Sequence, residues 1–425
     1  MTWAWFVDLP TYSPSPPPAL QPNPLPPSPP LFESGNRKAQ PRDFAKKVKM
    51  KGMRCWAEID LAALERNLAL IRKTLPESIR YVSVVKADAY GHGILPTAAR
   101  LMQSGVDLFA VANVKEAAEI REMASGWPIL VLGPLLEEED PALLDYDLIA
   151  TLSSASELTR FRRLAQARER SIQVHLKLDT GMGRLGAWWE EAGAMIEETI
   201  ASPEIELCGI LTHFADPADP DFTRLQRKRF CEILDHPLLK DRENLLVHAD
   251  NSSSLMDLDT DSFFNAVRIG LLQFGVSPDA NGMLAGLSVE PVLSFHAKLA
   301  LIKKLPKSTT LSYGRQHSLE RESVIGIISA GYGDAIPLHC GNRASALIRG
   351  RPYPIVGRVT MDQTLVDLTD APRNLESGET VTLIGRQAEE TLSLASLAEH
   401  ADTIPWELLC SITKRVQRVY TTKRE

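Results

Sequence analysis

YVSVVKADAYGHG, residues 81–93, sets the reading of the whole chain. Tyr81 to Val85 is a short β-prone run, long enough for a strand with both faces buried. It ends on Lys86 and then gives way to a polar, glycine-punctuated loop. The next residues, LPTAARLMQSG (95–105), carry a helical spacing of apolar positions. A buried strand, a functional-looking loop and a helix in that order make one strand–helix unit. By strand alternation Lys86 shares a face with Val82 and Val84. A lysine there is either solvated at a strand end or held in a pocket. In the second case desolvation lowers its pKa and lets it form a Schiff base with an aldehyde.

Outward from this unit the same alternation repeats. LFAVA (108–112), PILVLG (128–133), SIQVHLKLD (171–179), ELCGILTHFA (206–215), LLVHAD (245–250) and AVRIG (266–270) are strand-like, with helix-like stretches between most of them. Repeated strand–helix units imply a parallel sheet, and this many predict a closed α/β barrel of the TIM type. In such a barrel chemistry sits at the C-terminal ends of the strands. After Pro291 the texture becomes short β-rich runs broken by Gly and Pro, which predicts a separate, mostly β domain. The expected division is 53–290 for the barrel and 291–425 for the β domain. Residues 1–52 form a proline-rich extension that reads as extended or unstructured chain, since proline cannot keep backbone ladders. It is a poor signal peptide, having no basic n-region. It is either a ligand for a proline-binding domain or a bland extension ahead of the start of folding near Met50 and Met53.

A net charge of −7 over 425 residues argues against a nucleic-acid partner. No apolar run reaches the ~20 residues of a spanning helix, which argues against a membrane protein. Cys55, Cys208, Cys231, Cys340 and Cys410 are dispersed, with no CxxC pair, so no metal site is expected. They read as reduced thiols of a cytoplasmic protein.

Several strand ends carry polar residues. His213 follows ILT, Asn251 and Ser252 follow HAD, and Arg268 lies in AVRIG. NSSSL is a helix-capping pattern, and capping is the default reading of Ser252. Ser252 with the backbone of Gly270 and Leu271 also offers donors to a phosphate, as late barrel strands often do. GMGRLG (181–186) matches GxGxxG, the dinucleotide fingerprint. Its place among barrel-like repeats makes a structural tight turn an equal reading, with Arg184 facing a carboxylate or cofactor.

VVKADAYGHG resembles the cofactor-lysine signature of alanine racemases nearly residue for residue. LKLDTGMGRLG, THFA, NSS, VRIG, SYG, GYGD and GRVTMDQ follow in that family's order, from about Met53 to the C-terminus. The resemblance implies a pyridoxal 5'-phosphate enzyme. It would interconvert L- and D-alanine, supply D-alanine for peptidoglycan synthesis, and work as a homodimer with sites shared between subunits. It implies that Lys86 binds the cofactor covalently and acts as one base, and that Tyr313 of the other subunit is the opposite base. Tyr90, Ser252, Gly270 and Leu271 would surround the cofactor phosphate, with Asn251 nearby. Arg268 would face the pyridine nitrogen with His213 behind it. Arg184 and the backbone of Met361 would meet the substrate carboxylate, with Tyr332 and Asp362 at the entrance. Lys177 matches a position carbamylated in some members.

Two departures stand out. Trp406 replaces a tyrosine that helps hold the phosphate, and an indole donates one hydrogen bond but accepts none. Phe274 likewise replaces a common tyrosine. The competing readings are a broader amino-acid racemase of the same fold, a barrel-type decarboxylase, and a cofactor-binding protein without catalysis. Arg268 counts against the decarboxylase, which pairs the ring nitrogen with an acid. The second domain and Tyr313 count against the last.

Overall fold

The computed structural model describes residues 38–39, 52–240, 242, 244–256, 264–277, 283–284 and 286–422. The proline-rich stretch lies outside them. Lys38–Ala39 pairs antiparallel with Ala124–Ser125.

Eight parallel strands close into a barrel: β1 (Arg80–Val84), β2 (Leu108–Val111), β3 (Ile129–Val131), β4 (Ile149–Leu152), β5 (Ile172–Asp179), β6 (Ile205–Leu211), β7 (Leu246–Asn251) and β8 (Ala266–Ile269). Closure comes from β8 pairing with β1, Ala266 to Arg80 through Ile269 to Ser83. Side chains facing the surrounding helices, among them Tyr81, Phe109, Val174, Leu176 and Val267, join the main core. Those facing inward form a separate apolar plug of Val82, Val84, Leu108, Ala110, Leu130, Ile149, Leu246 and Ala266. Strand alternation then fixes what lies beyond the plug. Lys86 continues the face of Val82 and Val84, Arg268 that of Ala266, and His248 that of Leu246. The barrel is therefore apolar toward the strand starts and cationic toward the strand ends.

Several of the helices start on side-chain caps. Asp60 accepts the amides of Ala62 and Ala63 at 2.8 and 3.0 Å, opening Leu61–Thr74. Asn113 accepts that of Glu116 at 3.0 Å, opening Val114–Met123. Each satisfies a donor that the first helical turn leaves unpaired.

The C-terminal sheet is mostly antiparallel, in the order Arg351–Pro354, Ser345–Ile348, Thr380–Gln387, Leu293–Leu305, Ser323–Ile328, Thr364–Asp367. Cys55–Asp60 is a strand, but of this sheet and not of the barrel. It runs antiparallel to Leu293–Ala297 and parallel to Gln417–Thr421. The chain thus passes through the second sheet at Cys55–Asp60 before it enters the barrel.

Candidate active site

Lys86 stands at the end of β1, half-buried, and the backbone after it takes an unusual path. Ala87, Asp88, Ala89 and Tyr90 all have positive φ, between 50° and 55°. A left-handed turn of non-glycine residues costs about 1–2 kcal/mol per residue, so something must hold it. Asp88 Oδ1 accepts the amide of Ile94 at 2.8 Å. His92 is buried and stacks on Phe274 at 4.4 Å. Its Nδ1 lies 2.9 Å from the carbonyls of both Ala89 and Tyr90. Since carbonyls only accept, Nδ1 carries the proton. Glu116 closes the turn from outside, accepting the amides of Ala87 at 2.6 Å and Ala112 at 2.8 Å.

Burial and the positive charge of Arg184 lower the Lys86 pKa below the usual lysine value. Lys177, on the inner face of β5, is more deeply buried. Burial first, then Arg268 and Arg184, push its pKa well below the usual lysine value. The charges of Arg184 and Arg268 thus act on both Lys86 and Lys177 at a single barrel mouth. Such a cavity is built for anions.

Arg268 is buried at the end of β8 and makes five hydrogen bonds. Nη1 donates to the His248 carbonyl at 2.8 Å and to Nδ1 of His248 at 2.9 Å. Nη2 donates to the carbonyls of Thr212 at 2.9 Å and Ala249 at 2.7 Å, and to Nδ1 of His213 at 3.0 Å. None of the five uses Nε. Burial pulls its pKa down to about 10, against the pull of Asp250, and it stays charged at neutral pH. The histidines around it are held neutral by burial first and by that charge second: His213 down to about 2 and His248 well below its ordinary value.

Ser252 is buried, and its Oγ accepts the amides of Gly270 at 3.0 Å and Leu272 at 3.4 Å. The capping role read for it falls to Asn251, whose Oδ1 accepts the amides of Ser253 and Ser254 at 2.8 and 3.2 Å. Leu271 opens the short turn that follows Gly270. A Cβ on Gly270 would sit 2.7 Å from the Tyr90 hydroxyl. The absence of a side chain there leaves a cradle between Tyr90, Ser252 and the loop amides. Burial raises the Tyr90 pKa, keeping its hydroxyl a donor. Phe274 packs against both Tyr90 and His92. Trp406 is half-buried at the start of the helix Pro405–Cys410.

The remaining expected residues belong to the second sheet and its loops. Tyr313 is 72% exposed, Tyr332 46% and Met361 53%. Tyr332 and Met361 share a loop pair: the Tyr332 amide donates to the Thr360 carbonyl at 3.0 Å and that of Gly333 to the Met361 carbonyl at 2.9 Å. Arg415 clamps the pair. Its Nε and Nη2 bind the buried Asp334 at 2.6 and 2.9 Å, and Nη2 also reaches Asp362 at 2.8 Å. Arg415, Asp334, His175, His248 and Glu116 were not picked out by the sequence reading. The two histidines had a signal: His175 alternates with Lys177 and Asp179, and His248 with Asp250, polar positions on an inward face.

Residues 59–278 match the family described as alanine racemase, N-terminal domain, and residues 292–420 match alanine racemase, C-terminal domain. The alanine racemase of Halothermothrix orenii is 37% identical over 371 residues, 87% of this chain and 97% of that protein. An alanine racemase structure from Clostridium difficile superposes with a TM-score of 0.82 at 30% identity, covering 88% of this chain and 97% of that one. One from Bartonella henselae, with covalently bound pyridoxal phosphate, gives 0.78 at 26% identity, covering 87% and 100%.

Proposed function

On the premise that this chain belongs to the alanine racemase family, whose two domains it matches in order, we propose that Lys86 and Tyr313 of a partner subunit are the two bases that exchange the Cα proton. The activity is alanine racemisation, an isomerisation, and the family is pyridoxal-phosphate dependent.

The residues present fit that cofactor. The cradle at Gly270, bounded by Tyr90 and Ser252, suits its phosphate. Arg268 keeps Nε outside its five bonds and suits a ring nitrogen that accepts. Lys86, with its lowered pKa, suits covalent attachment to an aldehyde. When bound, the cofactor delocalises the electron pair left on Cα once a proton departs.

The chain's own work is to place and move protons. Lys86 takes or returns the Cα proton on one face. Tyr313 of the partner subunit does so on the other. Arg184 pairs with the substrate carboxylate, joined by the backbone of Met361, while Tyr332 and Asp362 narrow the entrance. The burial and neighbouring guanidiniums that lower the Lys177 pKa favour the neutral amine, the form that attacks carbon dioxide. A carbamate there would release one proton and put a negative charge between Arg184 and Arg268.

A single observation carries the reading: two lysines, Lys86 and Lys177, both acted on by the charges of Arg184 and Arg268 at the barrel mouth, with the second acid–base residue, Tyr313, exposed on the other domain. A homodimer that sets one subunit's β domain over the other's barrel completes such a site. The test is purified protein incubated with L-alanine and with L-serine, each assayed for the D-isomer. D-alanine formation with serine turned over far more slowly supports an alanine-selective pocket. Equal rates would make the broader racemase the better reading.

A further inference from the structure

The glycine-rich segment GMGRLG has the look of a dinucleotide loop, and its amides do converge on an anion. That anion is internal. Asp179, the last residue of β5, accepts the amides of Gly181, Met182 and Gly183 on Oδ1 at 2.9, 2.8 and 3.1 Å. Its Oδ2 accepts the amide of Arg184 at 3.1 Å. Successive amides wrapped around one negative group form a nest, the concavity that in other folds takes a phosphate.

The loop is pinned from its outer side as well. On the helix Pro220–Leu234, Arg229 donates to the Thr180 carbonyl at 2.8 Å, and Gln226 donates to the Thr180 hydroxyl at 3.3 Å and the His213 carbonyl at 3.1 Å. A Cβ on Gly186 would meet the backbone of Leu178 and Asp179 and the side chain of Lys177, all at 2.9 Å, so the loop returns flush against β5. Gly183 has φ +69° with open space around it. All this rigidity ends at the backbone of Arg184. Its exposed side chain makes no hydrogen bond or ion pair among the described residues, while its charge acts on both Lys86 and Lys177.

We propose that Asp179 is a positioning residue for substrate recognition: its carboxylate fixes the backbone of Arg184 so that the guanidinium is aimed, unpaired, at the carboxylate of the amino acid. This rests on the reading of Arg184 as the carboxylate-binding group. Removing the negative charge leaves the folded loop without its anchor. In Asp179→Asn the amide nitrogen must also face an N–H where an oxygen accepted one. The consequence falls on binding more than on the proton transfers, because Asp179 touches neither base.

The experiment uses the cofactor-loaded enzyme and four proteins: wild type, Asp179→Asn, Gly183→Ala and Arg184→Ala. Three quantities are read: amide hydrogen exchange of residues 181–184, the split between kcat and KM for L-alanine, and inhibition by acetate, a bare carboxylate. Asp179→Asn should speed exchange, raise KM by about tenfold or more and weaken acetate to match, with kcat within a few-fold. Gly183→Ala keeps the carboxylate but strains the nest where an added methyl meets nothing. It should shift KM and acetate the same way by less, and it serves if Asp179→Asn fails to fold. Unchanged exchange in Asp179→Asn would overturn the nest. Faster exchange with unchanged KM and acetate inhibition, while Arg184→Ala loses both, would overturn the positioning role. Arg184→Ala with unchanged KM and acetate inhibition would overturn the reading of Arg184 itself, and leave Asp179 nothing to position.

Discussion

Nη1 of Arg268 lies 2.9 Å from Nδ1 of His248, and an arginine can only donate. His248 therefore accepts on Nδ1 and carries its proton on Nε2. That nitrogen is 2.8 Å from Nδ1 of His175, which must accept in turn. One charged group at the barrel mouth thus sets the tautomers of two buried histidines behind it. The ring of His175 needs the room left by Gly209, where a Cβ would come within 2.6 Å of its atoms. His248→Gln can still accept from Arg268 and donate to His175, and it should keep most of the stability. His248→Leu can do neither and should cost about 1–3 kcal/mol, because a buried charged donor loses a partner. Urea unfolding of the two variants checks this; equal midpoints would contradict it.

Arg268 keeps its charge, so a ring nitrogen facing it stays unprotonated and the ring is the weaker electron sink. Arg268→Glu should favour the protonated ring, slow racemisation and allow slow conversion of alanine to pyruvate. The same change removes the Arg268 donors to the carbonyls of Thr212, His248 and Ala249, so lower stability is expected alongside. A folded, cofactor-loaded variant that makes no pyruvate would refute the assignment of Arg268 to the ring nitrogen.

Acid should unfold the protein steeply. Burial holds His92 and His296 down to about 4, His175 to about 3 and His213 to about 2, with His248 lower than its ordinary value of 6.5 as well. Between those values and 6.5 the unfolded chain binds more protons than the folded one. Stability therefore falls as pH drops through that window, by up to about 1.4 kcal/mol per pH unit for each histidine fully in range. Asp140, pushed up to about 6, and the raised Glu157 and Asp250 act oppositely, since the folded state holds their protons more tightly. Five groups against three leave a net loss. Denaturant midpoints measured from pH 7 to 4.5 should fall throughout, and a flat profile would mean these histidines are not buried neutral.

Lys86→Ala should abolish covalent cofactor attachment. Borohydride treatment of wild type should fix the cofactor to the peptide containing Lys86, and treatment of the variant should fix none. Trapping on Lys177 instead would move the attachment point.

The barrel and its cationic lysine were legible because strand alternation is local. Val82, Val84 and Lys86 share a face whatever lies around them, and six further apolar runs repeat the pattern. The site residues were legible chiefly through resemblance, since no local pattern links Lys86 to Tyr313. What stayed hidden depends on pairing across long separations. Cys55–Asp60 is a strand, and nothing in its six residues says that its neighbours are Leu293–Ala297 and Gln417–Thr421. The bonds that hold Arg268 come from the ends of β6 and β7, and Arg415 reaches Asp334 and Asp362 from the far end of the chain. Ser252 was misread as a cap because its neighbour Asn251 has the same capping chemistry, and only geometry separates them.

Mixing two inactive variants tests most directly whether each site draws its bases from two subunits. Lys86→Ala lacks one base and Tyr313→Phe the other, and each alone should lose at least about 10²–10⁴-fold of the racemisation rate. After subunit exchange, a mixed dimer holds one site with neither base and one with both: Lys86 from the Tyr313→Phe chain and Tyr313 from the Lys86→Ala chain. Activity should therefore reappear on mixing and rise with the fraction of mixed dimers. If mixed dimers form, as shown by differently tagged chains copurifying, and racemisation stays at the level of the single variants, the shared two-base site is wrong.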